Sequence, residues 1–296
     1  MNKVAIIQAR MSSSRLPGKV MLDIAGKPML QHVVERAKHA SLVDQVVLAT
    51  TTDPSDDLLE QYCQKNGISC YRGSLPDVLD RFYQAAMQFQ ADVIIRLTAD
   101  CPLLDPELID RTVALFLGNS SAATSLSRPK ITNYSLPATG FLDFAANRLP
   151  PPWRRTLPIG LDVEVCSLKT LQRAWKEADQ PYQREHVMPY LYEGIVFPEQ
   201  PLGRQDKWYF QQNTNPRGFM VALLNHYPDF GCLRWTVDTP VDLEFVRQVF
   251  NHLGSQTSYA WENVLSLLEN EPELASINAE VEHKSAFDID KRTLHS

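Results

Sequence analysis

Short apolar runs alternate with amphipathic segments along the first third of the chain. Four runs rich in Val, Ile and Leu are typical of buried strands, and they cover residues 4–7, 46–50, 68–71 and 93–98. Apolar residues recur at helical spacing after Pro28 and over 77–89, which predicts two helices. Ser55 is the expected cap of another helix, and Asp105 with Pro106 is expected to begin a fourth. Four strand–helix units with tight connections predict a parallel sheet with helices on both faces.

The pattern breaks between about residues 118 and 160, where serines and prolines interrupt every longer element. We interpret this segment as an insertion that either covers the site or reaches a partner subunit. Periodicity then resumes and predicts strands at 161–165, 220–224 and 233–237, and helices at 168–178, 184–192, 240–250 and 261–268. The sequence therefore predicts one domain over residues 1–254, followed by a C-terminal helix and a polar tail over residues 255–296.

Composition narrows the class of protein. The formal net charge of −6 argues against general nucleic-acid binding, because such binding relies on neutralising many phosphates. No apolar segment is long enough to span a bilayer or to serve as a secretion signal, so we expect a cytoplasmic protein without a membrane partner. The five cysteines are scattered and contain no CxxC pair, which favours free thiols over zinc sites or disulfides.

The loop after the first strand is a basic exception in this acidic chain. Residues 9–19 contain Arg10, Arg15 and Lys19 and no acid. Fixed cations and backbone N–H groups at the carboxyl end of a strand suit a polyphosphate, although a solvated basic loop is an equally good reading of the loop alone. The chain has no GxG, and Ser13 and Val20 do not fit a P-loop, so neither familiar phosphate motif is present.

Two acidic residues form a second group of candidate site residues. Asp100 and Asp238 each follow a predicted strand, and the carboxyl ends of parallel strands are where open α/β sheets bind ligands. Two carboxylates facing a polyphosphate provide the oxygen ligands that Mg²⁺ prefers. The alternative is that each acid lies beside the helix that follows it. Together with the basic loop, the pair favours a Mg²⁺ site formed by Asp100 and Asp238.

Several motifs in fixed order then resemble a known family. They are residues 7–19, 26–29, 71–74 with 80–81, 99–103 and 237–240. So ordered, they resemble the cytidylyltransferases that activate acidic sugars, such as the CMP-Kdo and acylneuraminate synthetases. Residues 160–164 and 184–187 make the likeness closest to the SpsF-like subgroup of spore coat polysaccharide biosynthesis. The resemblance covers about residues 3–250.

The resemblance implies an α/β nucleotide-diphosphosugar-transferase (GT-A-like) fold, in which helices flank a mixed, mainly parallel sheet, and a homodimer formed through the insertion. It also implies roles for individual residues. Those expected at the CTP phosphates are Arg10, Arg15 and Lys19. Those expected at the base and ribose are Ala9, Met11, Ser12, Arg72 and Arg81. Those expected at the acceptor are Glu164 and His186, although a lone histidine is more often a packed or surface residue.

The predicted reaction is Mg²⁺-dependent transfer of CMP from CTP to an acidic sugar or related acid, with release of pyrophosphate, in surface polysaccharide or glycoconjugate synthesis. Gln8 stands where the acidic-sugar enzymes commonly have proline, and Cys101 stands where the Kdo enzymes have glutamate, so the identity of the acceptor stays open. Two alternatives remain: a GT-A glycosyltransferase that uses a nucleotide sugar, and a non-catalytic nucleotide-binding protein of polysaccharide assembly.

Overall fold

The architecture was analysed in a computed structural model that describes residues 1–119, 123, 142–150, 153, 155–198, 206–254 and 259–282. The strands are β1 (Lys3–Gln8), β2 (Asp23–Ile24), β3 (Lys27–Pro28), β4 (Gln45–Thr51), β5 (Ser69–Gly73), β6 (Val93–Thr98), β7 (Phe144–Ala146), β8 (Glu164–Ser167), β9 (Trp208–Thr214) and β10 (Met220–His226). The helices are α1 (Met29–His39), α2 (Asp57–Lys65), α3 (Val78–Gln88), α4 (Pro106–Phe116), α5 (Leu168–Glu177), α6 (Pro181–His186), α7 (Pro189–Tyr192), α8 (Pro240–Leu253), α9 (Trp261–Asn270) and α10 (Pro272–Ser276).

Eight strands form one mixed sheet in the order β5-β4-β1-β6-β8-β7-β10-β9. The four strands predicted from the first third of the chain run parallel to one another. β8 runs antiparallel to both of its neighbours, and β9 forms an antiparallel edge on β10. The predicted fold class, α/β with a mixed and mainly parallel sheet flanked by helices, is confirmed.

The sheet is buried on both faces, which explains why its central strands are continuous apolar runs. Along β1, Ala5 and Ile7 pack on one face and Val4 and Ile6 pack on the other. Helices α1, α2, α4, α8 and α9 cover the first face. Helices α3, α5 and α7 contribute to the core on the second face, where α6 packs on α3.

Four predicted elements differ from the structure. The strand predicted at 161–165 is shifted, because β8 spans Glu164–Ser167. Residues 233–237 form no strand: Arg234 makes only an isolated bridge to Ile159, so the apolar run there reflects burial rather than sheet pairing. The turn before α2 is capped by Asp53, whose carboxylate accepts from the backbone N–H of Ser55, and Ser55 is therefore not the cap. The helix predicted over 184–192 is two short helices, because the backbone of Val187 has a φ of 72°.

The C-terminal part of the chain, as far as it is described, packs on the main core. Trp261, Val264 and Leu268 of α9 and Leu274 of α10 are buried in the same cluster as α8. The end of the predicted tail, residues 283–296, and most of the predicted insertion lie outside the described residues. None of the helices in the described ranges has the length and apolar character needed to cross a membrane.

Candidate active site

A cavity of about 410 Å³ opens at the carboxyl ends of β1 and β6. The chain order along the sheet reverses there: β4 and β5 lie on one side of β1, and β6 lies on the other. Such a switch point leaves a crevice between the loops that follow the two strands, and open α/β sheets bind their ligands in this crevice. Gln8 and Ala9 line the cavity from β1 and its following loop, and Thr98, Ala99 and Asp100 line it from β6.

The basic loop after β1 is folded back on itself. The backbone N–H of Met11 donates to Asp56 Oδ1 at 2.7 Å, and the carbonyl oxygen of Met11 accepts from the N–H of Gly18 at 2.8 Å. Gly18 adopts a φ of 70°, which costs little only for glycine, and the turn leads into a 3₁₀ segment at Lys19–Met21. This closed loop presents Arg10, Arg15 and Lys19 to the cavity.

Lys19 is the point where three distant parts of the chain meet. Its ammonium donates to Asp100 Oδ2 at 2.7 Å, to Asp238 Oδ1 at 2.9 Å and to the carbonyl oxygen of Val237 at 2.8 Å. Burial of the side chain favours the neutral amine, but Asp100 and Asp238 outweigh burial and raise the pKa of Lys19. The two acids therefore converge on the basic loop, as the sequence predicted.

Asp238 is surrounded by cations. Its Oδ2 atom lies 2.7 Å from Arg15 Nη2 and 2.8 Å from Arg234 Nη2, while Lys19 occupies Oδ1. Burial disfavours the charge of this carboxylate, but Lys19 and then Arg15 and Arg234 more than compensate and lower its pKa to about 2. Asp100 has only its Oδ2 on Lys19, and the Cys101 thiol approaches Oδ1 at 3.6 Å.

A second group of charged side chains lines the part of the cavity formed by β6, β8 and the loop after β7. Arg96 of β6 forms an ion pair with Glu164 of β8, and Arg148 Nη1 lies 2.9 Å from Asp162 Oδ1. Burial raises the pKa of Glu164, although Arg96 opposes this rise. Both residues predicted at the acceptor, Glu164 and His186, line this cavity.

Four residues predicted at the base and ribose are not in the wall formed by the described residues: Met11, Ser12, Arg72 and Arg81. Arg72 instead forms ion pairs with Asp57 and Glu60 on α2, at 2.7 and 2.8 Å. Arg81 is fully buried in α3, and burial foremost, with repulsion from Arg10, lowers its pKa to about 10. Of the five residues in that prediction, only Ala9 lines the cavity.

Sequence reasoning missed several cavity arginines, namely Arg96, Arg148, Arg155 and Arg234. A signal existed for one of them, because Arg96 is the only charged residue in the apolar run at 93–98. Arg148 and Arg155 fall in the proline-rich segment, where periodicity gives no guide to side-chain direction. With them, the part of the wall formed by the described residues carries seven lysine and arginine side chains and five carboxylates, so it is locally basic in an acidic chain.

Comparisons with known proteins match this geometry. A family model described as cytidylyltransferase matches residues 4–219. This chain belongs to the cytidylyltransferase family. It is 28% identical over 275 residues to the spore coat polysaccharide biosynthesis protein SpsF of Bacillus subtilis, covering 92% of this chain and 95% of that protein.

Two proteins that are named as cytidylyltransferases are also similar. A 3-deoxy-manno-octulosonate cytidylyltransferase of Trichlorobacter lovleyi is 39% identical over 120 residues, covering 40% of this chain and 46% of that protein. The structure of a cytidylyltransferase from Leptospira borgpetersenii superposes with a TM-score of 0.75 at 28% identity, covering 96% of this chain and all of that one. The resemblance stated from the motifs is confirmed. Membership of the family also favours nucleotidyl transfer over the glycosyltransferase alternative.

The carboxylates of this cytidylyltransferase fit a hard divalent cation. Asp100 and Asp238 bring oxygen ligands into one cavity, and the cation that already bridges them, the Lys19 ammonium, shows that this position attracts positive charge. The nearby Cys101 thiol is buried and its pKa is raised by burial and by Asp100, so it does not compete as a thiolate ligand.

Proposed function

We propose that this cytidylyltransferase moves CMP from CTP to an acidic sugar or a related small acid, releases pyrophosphate, and serves surface polysaccharide or glycoconjugate synthesis. The observation that carries the proposal is the convergence of Arg15 and Lys19 with Asp100 and Asp238 in one cavity at the sheet switch point. The names of its relatives, which refer to spore coat polysaccharide and to 3-deoxy-manno-octulosonate, support this substrate class.

The charges at the site suggest how CTP is accepted. Lys19 is bound by two carboxylates and Arg15 by one. The triphosphate of CTP offers these cations several anionic oxygens, so Arg10, Arg15 and Lys19 bind it in a charge-assisted manner. As Lys19 turns towards phosphate, oxygens of Asp100 and Asp238 become available.

Those oxygens would hold Mg²⁺, which when bound neutralises phosphate charge and acts as a Lewis acid. In the reaction, an acceptor hydroxyl oxygen forms a bond to the α-phosphorus of CTP. The bond from the α-phosphorus to the bridging oxygen breaks, pyrophosphate leaves, and the hydroxyl proton is released to water. Arg10, Arg15 and Lys19 stabilise the charge that develops on pyrophosphate, so catalysis rests on alignment and electrostatics.

The acceptor would bind in the part of the cavity lined by Arg96, Arg148 and Arg155. These cations suit a carboxylate, while Glu164 and His186 can accept or donate hydrogen bonds to sugar hydroxyls. The Glu164 side chain is only 12% exposed, so little water reaches it, which strengthens such contacts.

The test measures pyrophosphate release from each NTP with Mg²⁺ and a panel of 3-deoxy-2-ketoaldonic, nonulosonic and phosphonic acids. We expect release with CTP and at least one acid. Asp100→Asn should abolish most of it, because the variant loses one charge of the cavity. Asp23→Asn, at an exposed carboxylate of β2, is the matched control and should retain wild-type activity. No release with any combination would refute the proposal.

A further inference from the structure

Asp242, in the first turn of α8, is a buried centre of hydrogen bonds next to the site. The side chain has no solvent exposure. Its Oδ2 atom accepts from the backbone N–H groups of Asp238 and Thr239, at 3.0 and 2.9 Å, and from Arg234 Nη2 at 3.1 Å. Its Oδ1 atom accepts from Arg234 Nε at 2.8 Å and from Asn278 Nδ2 at 3.0 Å. A carboxylate with this many donors fixes the residues that supply them.

Arg234 connects the Asp242 carboxylate to the cavity. One edge of its guanidinium rests on Asp242, and Nη2 also reaches Asp238 Oδ2 at 2.8 Å. Asp238 in turn receives Lys19 and Arg15 of the basic loop. The position of the Asp238 carboxylate therefore depends on where Asp242 holds Arg234.

Asn278 is the C-terminal member of this hydrogen-bond network. It follows α10 and is only 5% exposed, so its side-chain amide is buried. Its amide nitrogen donates both to Asp242 Oδ1 and to the carbonyl oxygen of Arg234, at 2.9 Å. One side chain thus ties the backbone of Arg234 to the carboxylate that orients its guanidinium. This residue lies outside the part of the chain, 4–219, that the family model matches.

We propose that Asn278 is a positioning residue for nucleotidyl transfer, acting through Asp242 and Arg234 on Asp238. The inference rests on the function proposed above, since it assigns Asp238 to that reaction. Without the Asn278 amide, Asp242 Oδ1 keeps only Arg234 Nε among these donors, and the Arg234 carbonyl loses its link to Asp242. Asp242 Oδ2 keeps its donors, but the Arg234 backbone is no longer held against the Asp242 carboxylate, so Arg234 and the Asp238 carboxylate that it contacts shift. Misplacement of a reacting group by about 1 Å can reduce a rate by about 100-fold.

The experiment compares Asn278→Ala and Asn278→Asp with Asn263→Ala. Asn263 lies in the same C-terminal region, and its side chain accepts from the backbone N–H of Ala260 at 2.8 Å without touching Asp242. Each variant is checked for folding by circular dichroism and thermal unfolding. The kcat and the KM values for CTP and acceptor are measured per folded molecule, and CTP binding with Mg²⁺ is measured by calorimetry.

We expect Asn278→Ala to lower kcat about 10- to 100-fold, with the KM of the acceptor changed less than about twofold. Asn278→Asp should lose more, since it places a second carboxylate against Asp242. If Asn278→Asp does not fold, Asn278→Ala alone decides. Asn263→Ala should lower only the unfolding temperature. Equal kcat per folded molecule in Asn278→Ala and Asn263→Ala would overturn the inference.

The same variants separate this inference from the proposed function. If the wild-type protein releases no pyrophosphate with any acceptor, the proposed function fails, and CTP binding in the presence of Mg²⁺ decides the role of Asn278. Weaker binding by Asn278→Ala than by Asn263→Ala supports positioning of Asp238. Equal binding by the two variants contradicts it.

Discussion

Replacing Lys19 by methionine tests the centre of the site. Lys19→Met keeps the length and apolar volume of the side chain but removes the ammonium that contacts Asp100, Asp238 and the Val237 carbonyl. Deleting a preorganised electrostatic group from an active site costs about 3 kcal/mol of transition-state stabilisation. At about 1.4 kcal/mol per factor of ten, kcat should fall about 100-fold.

The fold should survive this change. Asp238 keeps Arg15 and Arg234, and the Asp100 side chain is 26% exposed, so water can hydrate its freed oxygen. The net contribution of a typical hydrogen bond to stability is about 0.5–1.5 kcal/mol, and about 1.5–3 kcal/mol for one to a charged group, so the cost should stay within what the fold tolerates. The loss of activity can therefore be measured on folded protein.

The assay follows pyrophosphate release at saturating CTP and acceptor, with thermal unfolding measured in parallel. Lys27→Met is the matched control, because Lys27 forms an ion pair with Glu35 at 2.8 Å and is 40% exposed outside the cavity. We expect the control to keep its activity. Wild-type kcat and KM in Lys19→Met would remove Lys19 from the mechanism and with it the interpretation of the basic loop as a phosphate site.

Three further predictions follow. Burial is the main cause that lowers the pKa of His226 to about 4, so between about pH 6.5 and 4 the unfolded chain binds a proton that the folded chain does not. The wild-type protein should therefore lose up to about 3 kcal/mol of unfolding free energy as the pH falls through that range, and His226→Gln should remove this loss. An unchanged dependence of unfolding free energy on pH in His226→Gln would contradict the prediction. A Cβ on Gly160 would lie 2.6 Å from the backbone of Trp235, so Gly160→Ala should cost more than about 2 kcal/mol in denaturant unfolding, whereas Gly67→Ala, which has open space, should cost about 1 kcal/mol. Sedimentation velocity should give twice the chain mass of 33.6 kDa if the predicted homodimer forms, and a monomer at micromolar concentration would reject it.

Local patterns predicted the parallel half of the sheet well. Buried strands such as β1 and β6 need apolar residues on both faces, and this need appears directly in the sequence as an uninterrupted run. The edge strand β9 was harder to predict. β9 has the sequence WYFQQNT, whose polar half is exposed, so its pairing with β10 depends on a neighbour that the sequence pattern does not reveal.

The sequence predicted the charged residues of the candidate site better than the contacts between them. Asp100 and Asp238 were found because strand ends meet at one edge of a parallel sheet, although residues 233–237 turned out not to be a strand. The prediction for Asp238 nevertheless holds in space because the Val237 N–H donates to the Asp100 carbonyl at 2.8 Å, which brings the two segments together. Hydrophobic periodicity in a sequence does not predict such a contact between two loops.

The network from Lys19 to Asn278 also bears on how the chain is made. The basic loop follows the first strand, yet its partners are supplied by residues 234–242 and, through Asp242, by residue 278. A ribosome that has released only the first two hundred residues has delivered every cation of that loop and the carboxylate of Asp100, but not Asp238. Until residues 234–242 have emerged, Arg15 and Lys19 lack the carboxylate of Asp238. The contacts of the candidate site can therefore form only after these residues have been synthesised.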